Sequence, residues 1–557
     1  MRVLGIEGTA WCASAAVYDT EDDAVFIESD AYEPESGGIH PREAAEHMGD
    51  AVPRVVAAAL DHAEAAFGAD AIDAVAFSRG PGLGPCLRIV GTAARSLART
   101  LDVPLVGVNH MVAHLEIGRH RSGFDSPVCL NASGANAHLL GYHNGRYRVL
   151  GETMDTGVGN ALDKFTRHVG WSHPGGPKIE AHAADGSYVD LPYVVKGMDF
   201  SFSGIMSAAK QAYDDGVPVE DVCFSLQEHT FAMLTEVSER ALSLTGTDEL
   251  VLGGGVGQND RLREMLSEMC AARGADFYAP EPRFLRDNAG MIAVLGAKMA
   301  AAGDTVPVAD SAVDPDFRPD QVDVTWRGTD ESVSRASAGG ASDLRGAEAV
   351  VELRGDDVVK RRVPKGYRHP ELDASLRRRR TVREARLLSE ARQAGVPTPL
   401  VRDVDVPEAT LTMQHVGDAD LAAVLTAERC RTVGRHLARL HAAGAVHGDP
   451  TTRNVRVGRG GDATGNGGDN ADRGDVDRPY LIDFGLGYAT EHVEDRAMDL
   501  HVFEQSLVGT AETPEPLIEA VEAGYREEGD GAVLDRLRTV EGRGRYQAAT
   551  ESESASQ

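Results

Sequence analysis

Short apolar segments separated by turns dominate the first half of the chain, and one arrangement of them occurs twice. Residues 2–31 contain three such segments, joined by a Gly-Thr turn and an acidic turn, which predicts three strands. Residues 127–153 repeat that order. Each set precedes helical segments and a later apolar segment that ends in glycines, at residues 74–84 and 250–259. The pattern predicts two similar α/β lobes, with a ligand in the cleft between them at the carboxyl ends of the strands.

Two stretches have the composition of connecting segments. Residues 328–343 are rich in Ser, Gly and Asp, which predicts a linker between a longer N-terminal half and a C-terminal unit. Residues 458–476 are a Gly/Asp/Asn run between apolar segments, which predicts a solvated loop. No apolar run approaches the length of a membrane span. The first six residues are typical of a strand, so we expect no signal peptide.

The charge balance adds a hypothesis about the cell. The formal net charge is −31, and of the 56 Lys and Arg residues seven are lysine. Excess carboxylates keep a surface hydrated where concentrated salt screens ordinary charges, so the composition favours a salt-adapted organism over an ordinary acidic protein. The six cysteines are scattered without a Cys-x-x-Cys pair, which argues against a disulfide scaffold or zinc ribbon. We therefore expect a reducing cytoplasm.

Bulk acidity argues against a nucleic-acid partner, but one stretch is basic. Residues 360–392 contain twelve Lys and Arg residues against four acidic ones. Such a run is either a solvated helix face or a surface that contacts a nucleic-acid backbone, with Arg543 and Arg545 as further candidates.

Three glycine-containing turns are candidates for a nucleotide site. Gly8-Thr9 and Ser133-Gly134 occupy equivalent turns of the two repeats, and residues 253–255 precede a helix that we expect to begin near Asp260. Small residues let backbone N–H groups approach a phosphate, especially at a helix N-terminus. Most glycine turns have no such role, but three that converge on one cleft favour a nucleotide.

A possible metal site combines two histidines with an aspartate. His110 and His114 are four residues apart and share one face of a helix. A zinc protease of the HExxH type needs Glu after the first histidine, and Met111 excludes that activity. Asp287, just before a predicted helix, offers a third ligand. Two histidines and one carboxylate leave positions open for substrate, an arrangement typical of iron(II) but not exclusive to it.

These segments resemble a known family. The runs LGIEGT, GPGLG, NHMVAH, SGAN, DKFTRHVG, HPGGPKIE, DFSFSG, GGGVGQN and RDNAGMIA follow in the order found in universal tRNA threonylcarbamoyltransferases, the catalytic subunits of the archaeal and eukaryotic KEOPS complex. The resemblance covers about residues 1–326 and implies the two-lobed actin-like ATPase (ASKHA) α/β fold. It implies transfer of a threonylcarbamoyl group from threonylcarbamoyl-AMP to the exocyclic amine of adenosine 37, in tRNAs that read codons beginning with A.

The resemblance also assigns residues. It implies that His110, His114 and Asp287 bind one iron(II) or other divalent metal ion. The family usually has tyrosine as a further ligand where this chain has Asn131, and a second glycine at the position of Ala135. Asn131 can offer its carbonyl oxygen, or water takes that position. The residues implied to touch the adenylate are Asn131, Ala132, Ser133, Gly134, Ala135, Asp163, Gly176, Glu180 and Asn259.

The C-terminal half carries the motif order of a protein kinase. The roles follow from charge: a strand lysine contacts phosphates and pairs with a helix glutamate, a loop aspartate is the catalytic residue, and an asparagine and a second aspartate hold magnesium. A long activation segment and a GxGxxG loop are absent from the sequence. The candidate residues are Gly346, Lys360, Glu384, Asp449, Asn454 and Asp483.

The reduced kinase motifs resemble the small atypical serine/threonine kinase of the same KEOPS complex. Its run HGDLTTSN appears here as HGDPTTRN, with Pro450 and Arg453 as the departures. Further matches extend over about residues 344–545. The resemblance implies an α+β reduced kinase-like domain that acts with ATP and magnesium, mainly as an ATPase supporting tRNA modification.

The sequence thus predicts a bifunctional tRNA-modifying enzyme. Its predicted parts are a transferase at residues 1–326, a linker at 327–343, a kinase-like ATPase at 344–549 and a polar tail at 550–557. The alternative is a signalling serine/threonine kinase with a nucleotide-binding regulatory module. By resemblance the partners are tRNA, threonylcarbamoyl-AMP from a separate synthase, and other small KEOPS subunits, with no membrane and a cytoplasmic location.

Overall fold

The computed structural model describes residues 1–32, 39–134, 136–143, 145–328, 343–345, 348–459 and 477–541. Contacts divide these residues into two compact units. The first unit holds the described residues up to Gly328 apart from Val195–Met198, and the second holds Val195–Met198 and the described residues from Asp343 onward. Among the described helices, none is long and apolar enough to cross a membrane.

The first lobe of the first unit is a five-stranded sheet flanked by helices. Its elements are β1 (Arg2–Glu7), β2 (Cys12–Asp19), β3 (Ala24–Ala31), α1 (Pro41–Phe67), β4 (Ala74–Gly80), α2 (Gly84–Leu101), β5 (Leu105–Asn109) and α3 (His110–Ser122). Helices α1 and α2 bury their apolar sides against the sheet, where Leu4, Val52 and Val90 share one core.

The second lobe repeats a five-stranded sheet with more helices around it. Its elements are β6 (Val128–Ala132), β7 (Ala137–His143), β8 (Arg146–Glu152), α4 (Val158–His168), α5 (Gly176–Ala183), β10 (Asp199–Phe200), α6 (Ser203–Asp214), α7 (Val219–Thr245), β11 (Glu249–Gly253), α8 (Asp260–Arg273), β12 (Asp276–Tyr278), α9 (Pro282–Leu285) and α10 (Ala289–Ala301). The short strand β9 (Val195–Lys196) comes between α5 and β10 in sequence and belongs to the second unit.

The two sheets have the same topology, which confirms the duplication read from the sequence. The strand orders are β3-β2-β1-β4-β5 and β8-β7-β6-β11-β12. In each sheet the first three strands are antiparallel and the last two are parallel to the first strand. The first turn of each lobe, at residues 8–11 and 133–136, therefore lies at a topologically equivalent point.

Helices α3 and α10 lie between the two sheets. Their apolar side chains share one core with residues of both, among them Val3 and Val106 of the first lobe and Cys129 and Val251 of the second. The close packing depends on glycine, since a Cβ added at Gly5 would lie 2.5 Å from the backbone oxygen of Ala289. Both helices are thus held by packing on two sides.

The second unit combines an antiparallel five-stranded sheet, in the order β13-β14-β15-β17-β16, with a helical part and two small sheets. Leu387, Val433 and Phe503 belong to a core that joins the sheet to the helices. The elements are β13 (Asp343–Arg345), β14 (Ala349–Arg354), β15 (Asp357–Arg362), α11 (Pro370–Gln393), β16 (Val401–Asp405), β17 (Thr410–Gln414), β18 (Ala419–Asp420), α12 (Ala427–Ala442), β19 (Ala445–Val446), β20 (Val455–Arg459), β21 (Asp477–Leu481), β22 (Tyr488–Ala489), α13 (Val493–Val508), α14 (Glu515–Glu528) and α15 (Gly531–Glu541).

Both edges of the predicted linker differ from the structure by one residue. Arg327 was assigned to the linker, yet its side chain is fully buried in the first unit, where it lies over the Tyr142 ring at 3.8 Å and donates to the backbone oxygen of Asp125. Asp343 pairs with Glu352 in the sheet of the second unit. Residues 329–342 of the predicted linker lie outside the described residues. A low content of apolar residues predicts a linker, but it does not show that an arginine at the edge of that stretch is buried.

Candidate functional site

Two capped helix N-termini carry the histidines and the aspartate. His110 directly follows β5 as the first residue of α3, and the Asn109 side chain caps this helix by accepting from the Val112 N–H at 3.1 Å. Asn288 caps α10 in the same way, and Asp287 precedes it. The site residues are therefore placed by helix starts that pack between the two sheets.

The side chains of His110, His114 and Asp287 converge. The Nε2 atoms of His110 and His114 lie 3.4 and 3.3 Å from Oδ1 of Asp287. One ligand atom of each residue lies within 4.8 Å of the other two. Both imidazoles are largely buried, at 9% and 2% exposure. The geometry can hold one metal ion between three protein ligands.

Glu7 is a further acidic partner at this cluster. Its Oε2 lies 3.1 Å from Nδ1 of His110, and its Oε1 accepts from the Thr9 N–H at 2.8 Å. Burial alone would lower the pKa of His110, but the charges of Glu7 and Asp287 raise it to about 10. Burial and the neighbouring His110 lower the pKa of His114. Two carboxylates thus stabilise a cation at this position, either a proton or a metal.

Unsatisfied polar atoms surround the same place. Nδ1 of His114 and Oδ1 of Asn131 are buried without a hydrogen-bond partner among the described residues. Buried polar atoms are normally satisfied, and a missing ion or water is a common reason for an exception. The donor set of imidazole and carboxylate groups suits a divalent transition metal. The residues present therefore fit the metal that the resemblance implies.

The glycine run, residues 253–255, packs against the end of β6. Gly254 has a φ of +83°, and a Cβ added there would lie 2.3 Å from the backbone oxygen of Ala132 and 2.5 Å from Oδ1 of Asn131. A side chain at this position would therefore clash with the strand end. The backbone of the glycine run therefore lies directly beside Asn131 and Ala132.

The turn after β6 is hydrogen-bonded to helix α4 and lies next to the first lobe. The Gly159 and Asn160 N–H groups donate to the backbone oxygens of Ser133 and Gly134, at 3.3 and 2.9 Å. Nε1 of Trp11, in the equivalent turn of the first lobe, lies 3.8 Å from a Cβ added at Gly134. The two predicted glycine turns are therefore adjacent. Ala135 lies outside the described residues.

The remaining predicted adenylate residues lie on the adjoining helices. Asp163 of α4 accepts from the Gly175 N–H at 2.7 Å, just before Gly176 begins α5. Glu180 of α5 accepts from the Asp260 N–H at 3.0 Å. Asn259 caps α8. These contacts link α4 to the start of α5, and α5 to the start of α8.

The lysine, glutamate and aspartate of the second unit also converge. Nζ of Lys360 lies 2.9 Å from Glu384 and 2.6 Å from Asp483. Arg362 adds a second cation, with Nη2 2.6 Å from Glu384. Burial would raise the pKa of Asp483, but Lys360 and Arg362 lower it to about 2. Asp483 is therefore ionised and available for a metal ion.

The loop aspartate and asparagine contact each other directly. Nδ2 of Asn454 donates to the backbone oxygen and to Oδ2 of Asp449, at 2.9 and 3.2 Å. Asp499 of α13 holds this loop by accepting from the His447 and Gly448 N–H groups at 2.6 and 2.7 Å. Asp499 thus fixes the backbone of the loop that carries Asp449. Gly346 lies outside the described residues.

The basic run exposes fewer positive charges on the protein surface than its sequence indicates. Four of its members are buried in ion pairs with carboxylates, so they present no charge to a partner: Lys360, Arg362, Arg368 and Arg380. Arg379, Arg383 and Arg386 are exposed along one side of α11, and we call them the exposed arginine face. Burial and two neighbouring arginines lower the pKa of Arg383, which indicates crowded positive charge. Arg543 and Arg545 lie outside the described residues.

Three residues at these sites were missed from the sequence. Glu7 ends an apolar strand, and an acidic residue at the end of a buried strand was the available signal. Arg362 lies two residues after Lys360, and the alternation of a strand places both on one face. Asp499 lies in the matched run EDRAMDL, but its contact with the loop residues is visible only in the structure.

Comparison with known proteins defines the class of the first unit. A family model described as TsaD, tRNA N6-adenosine threonylcarbamoyltransferase, matches residues 23–294. That range includes β6 and all three residues of the metal cluster. The first unit is therefore a tRNA-modifying transferase domain.

Relatives extend the match over nearly the whole chain. Probable bifunctional tRNA threonylcarbamoyladenosine biosynthesis proteins from Natronomonas pharaonis and Halobacterium salinarum are 71% and 70% identical, each covering 98% of this chain and 100% and 99% of the relative. One from Methanospirillum hungatei is 51% identical and covers 98% of this chain and 99% of the relative. The chain belongs to the family of bifunctional tRNA threonylcarbamoyladenosine biosynthesis proteins.

Proposed function

We propose that the first unit transfers a threonylcarbamoyl group from threonylcarbamoyl-AMP to the exocyclic amine of adenosine 37, in tRNAs that read codons beginning with A. The observation that carries this proposal is the convergence of His110, His114 and Asp287 beside the end of β6. The family membership supplies the tRNA-modifying role, and the geometry supports the finer assignment.

The reaction needs an activated donor, because the lone pair of an adenine amine is delocalised into the ring. A divalent metal held by His110, His114 and Asp287, iron(II) in our proposal, supplies Lewis-acid polarisation of the acyl-phosphate donor. The chain itself fixes the two reactants next to each other, which removes much of the entropic barrier. Glu7 holds Nδ1 of His110, which leaves Nε2 directed at the cluster.

The adenylate is proposed to lie along the turn after β6. The three glycines at residues 253–255 have no side chains, so their backbone N–H groups could donate to a phosphate. Asp163 and Glu180 are carboxylates on the adjoining helices, and they can accept hydrogen bonds from ribose hydroxyls. Asn259, at the start of α8, places a helix N-terminus near the phosphate, where the dipole favours negative charge.

The test of this proposal is the modified nucleoside itself. His114→Ala should abolish threonylcarbamoyladenosine in tRNA while leaving the chain folded. The matched control is His120→Ala, because His120 is a half-buried histidine of the same helix that contacts Asp23 instead of the cluster. Mass spectrometry of digested tRNA measures the product. Full modification by the His114 variant would refute a catalytic metal at this site.

For the second unit we propose ATP hydrolysis with magnesium in support of the transferase. Lys360, paired with Glu384, would contact phosphates, while Asn454 and Asp483 would hold magnesium and Asp449 would orient the attacking group. The support is geometric: Lys360 contacts Glu384 and Asp483, and Asn454 contacts Asp449.

Radiolabelled ATP separates this role from a signalling kinase. Asp483→Asn should abolish release of inorganic phosphate, because it removes the charge that binds magnesium. If the ATPase supports the transferase, the same variant lowers tRNA modification in the presence of ATP. Loss of protein phosphorylation with unchanged tRNA modification would instead favour the signalling kinase.

The partners follow from the same proposal. tRNA is the substrate, and the exposed arginine face of the second unit is proposed to contact its backbone. Threonylcarbamoyl-AMP would come from a separate synthase, and other small KEOPS subunits would bind the chain in the cytoplasm. The net charge of −31 supports a salt-rich cell, where phosphate contacts alone are weak.

A further inference from the structure

One row of residues crosses the second sheet beside the metal cluster. Gly253 pairs with Asn131 in the β11–β6 ladder, Asn131 pairs with His138 in the β6–β7 ladder, and His138 pairs with Glu152 in the β7–β8 ladder. Side chains of directly paired residues project from the same face of a sheet. Asn131 and His138 are therefore neighbours on one face.

That face is the one covered by helix α3. Gly118 of α3 packs on Val251, two residues before Gly253 on β11, with 3.1 Å between an added Cβ and the Val251 Cβ. Residues two apart on a strand share a face. A Cβ added at Gly253 would also lie 3.7 Å from the Cβ of His114. The imidazole of His138 thus belongs to the layer between β7 and the helix that carries His110 and His114.

His138 is buried in an unusual state. It is 1% exposed, and neither of its ring nitrogens has a hydrogen-bond partner among the described residues. By contrast, buried His441 of the second unit contacts both Tyr525 and Asp499. An unpaired buried polar group is destabilising, so such a group usually has a ligand or a functional reason.

The surroundings keep this imidazole neutral. Burial, followed by the charges of His114 and His110, lowers the pKa of His138 to about 3. A neutral imidazole keeps a free lone pair, which is the form that binds a metal ion.

We propose that His138 is a fourth protein ligand of the metal centre, with its imidazole binding the ion held by His110, His114 and Asp287. The inference rests on the metal centre of the proposed function and adds an imidazole ligand that is separate from any contribution of Asn131. His138 is not in the group of atoms within 4.8 Å of one another, so the proposal requires its side chain to change rotamer when the ion binds. Three imidazoles and one carboxylate form a set that divalent transition metals accept.

The experiment counts imidazole ligands with cobalt(II) as the probe. The full-length chain is stripped of metal with a chelator and titrated with Co²⁺, and the bound ion is examined by X-ray absorption and visible spectroscopy. The wild-type protein should show three imidazoles. His138→Gln should show two and bind Co²⁺ at least about tenfold more weakly.

A matched control removes a buried histidine elsewhere. His436 of the second unit is 4% exposed, and its Nδ1 has no hydrogen-bond partner within the described part of the chain. Its pKa is lowered to about 3 mainly by burial. His436→Gln should leave both the imidazole count and the cobalt affinity unchanged. Asn131→Ala is the competing variant, because Asn131 is the position at which the family usually has a ligand.

The outcomes separate the inference from the function that it rests on. Two imidazoles in the wild type, or an unchanged His138→Gln spectrum with a changed Asn131→Ala spectrum, overturns the role of His138 alone. Wild-type cobalt binding that His114→Ala does not weaken overturns the metal centre itself. If His138→Gln does not fold, the wild-type imidazole count still decides between two and three.

Discussion

Glu116 of α3 is the central charge of a buried ion cluster, so its neutralisation should destabilise the first unit strongly. The carboxylate is fully buried. It lies 2.9 Å from Nε of Arg119 and 2.9 Å from Nζ of Lys298, and it accepts from the Tyr147 hydroxyl at 2.7 Å. Arg327, also fully buried, lies 3.6 Å away. Glu116→Gln would leave these cations without a countercharge.

The size of the effect follows from the pKa. Burial opposes ionisation of Glu116, but Lys298 and Arg119 lower its pKa from 4.5 to about 2. That difference corresponds to about 3 kcal/mol of stability. Because the folded pKa is lowered, this contribution is complete above about pH 4.5 and is lost as the pH falls towards 2. Breaking a buried ion pair costs about 3–5 kcal/mol, so Glu116→Gln should lower the free energy of unfolding by that amount at pH 7.

The chain provides a selective probe for this measurement. All three tryptophans, Trp11, Trp171 and Trp326, lie in the first unit, so their fluorescence during urea titration follows that unit alone. The control is Glu46→Gln, which breaks an exposed pair with Arg42 and should change stability by less than about 1 kcal/mol. If Glu116→Gln unfolds at the wild-type urea midpoint, the reasoning about the buried cluster is refuted.

The remaining predictions concern a surface, a titration and a packing contact. Serine substitution of the exposed arginine face should weaken tRNA binding and reduce the slope of log affinity against log salt by about 2 to 3, and unchanged affinity in a binding titration contradicts that contact. Burial raises the pKa of Asp199 to about 7, so the free energy of unfolding should fall as the pH rises from about 4 to 7, and Asp199→Asn should remove this dependence in urea titrations. Gly5→Ala should displace α10 at Ala289 and weaken cobalt binding, whereas Gly49→Ala, with nothing within 4 Å, should stabilise α1 by up to about 1 kcal/mol; equal cobalt affinity for both variants contradicts this.

The periodicity of the sequence was sufficient to predict the duplicated sheets and the position of the two histidines on one helix face. Both are local patterns, since strand alternation and the four-residue repeat of a helix act between near neighbours in sequence. Asp287 could be proposed because it precedes a helix, although its contact with His114 spans 173 residues. The ordered motifs of a known family supplied the pairing that local patterns cannot give.

Charge partners could not be predicted in the same way. Arg380 and Arg379 are adjacent in sequence and identical in chemistry, yet one is buried against Glu348 and the other is exposed. Whether each arginine is buried depends on which side of α11 faces the sheet. A run of arginines has no apolar pattern that would predict that side. His138 was missed for a related reason. A histidine in a strand sequence does not indicate whether its ring will be buried, or whether it will find a hydrogen-bond partner.

The spacing of the metal ligands is a property of the core and not of loops. His114 and Glu116 are two residues apart on α3, while Asp287 comes just before α10 and Lys298 lies in its last turn. The ion cluster therefore ties together the same two helices whose N-termini bring the metal ligands together. Since both helices are packed between two sheets, a change in either sheet reaches the ligands through close-packed side chains. Stability of this core and geometry of the site are thus set by one arrangement of α3 and α10.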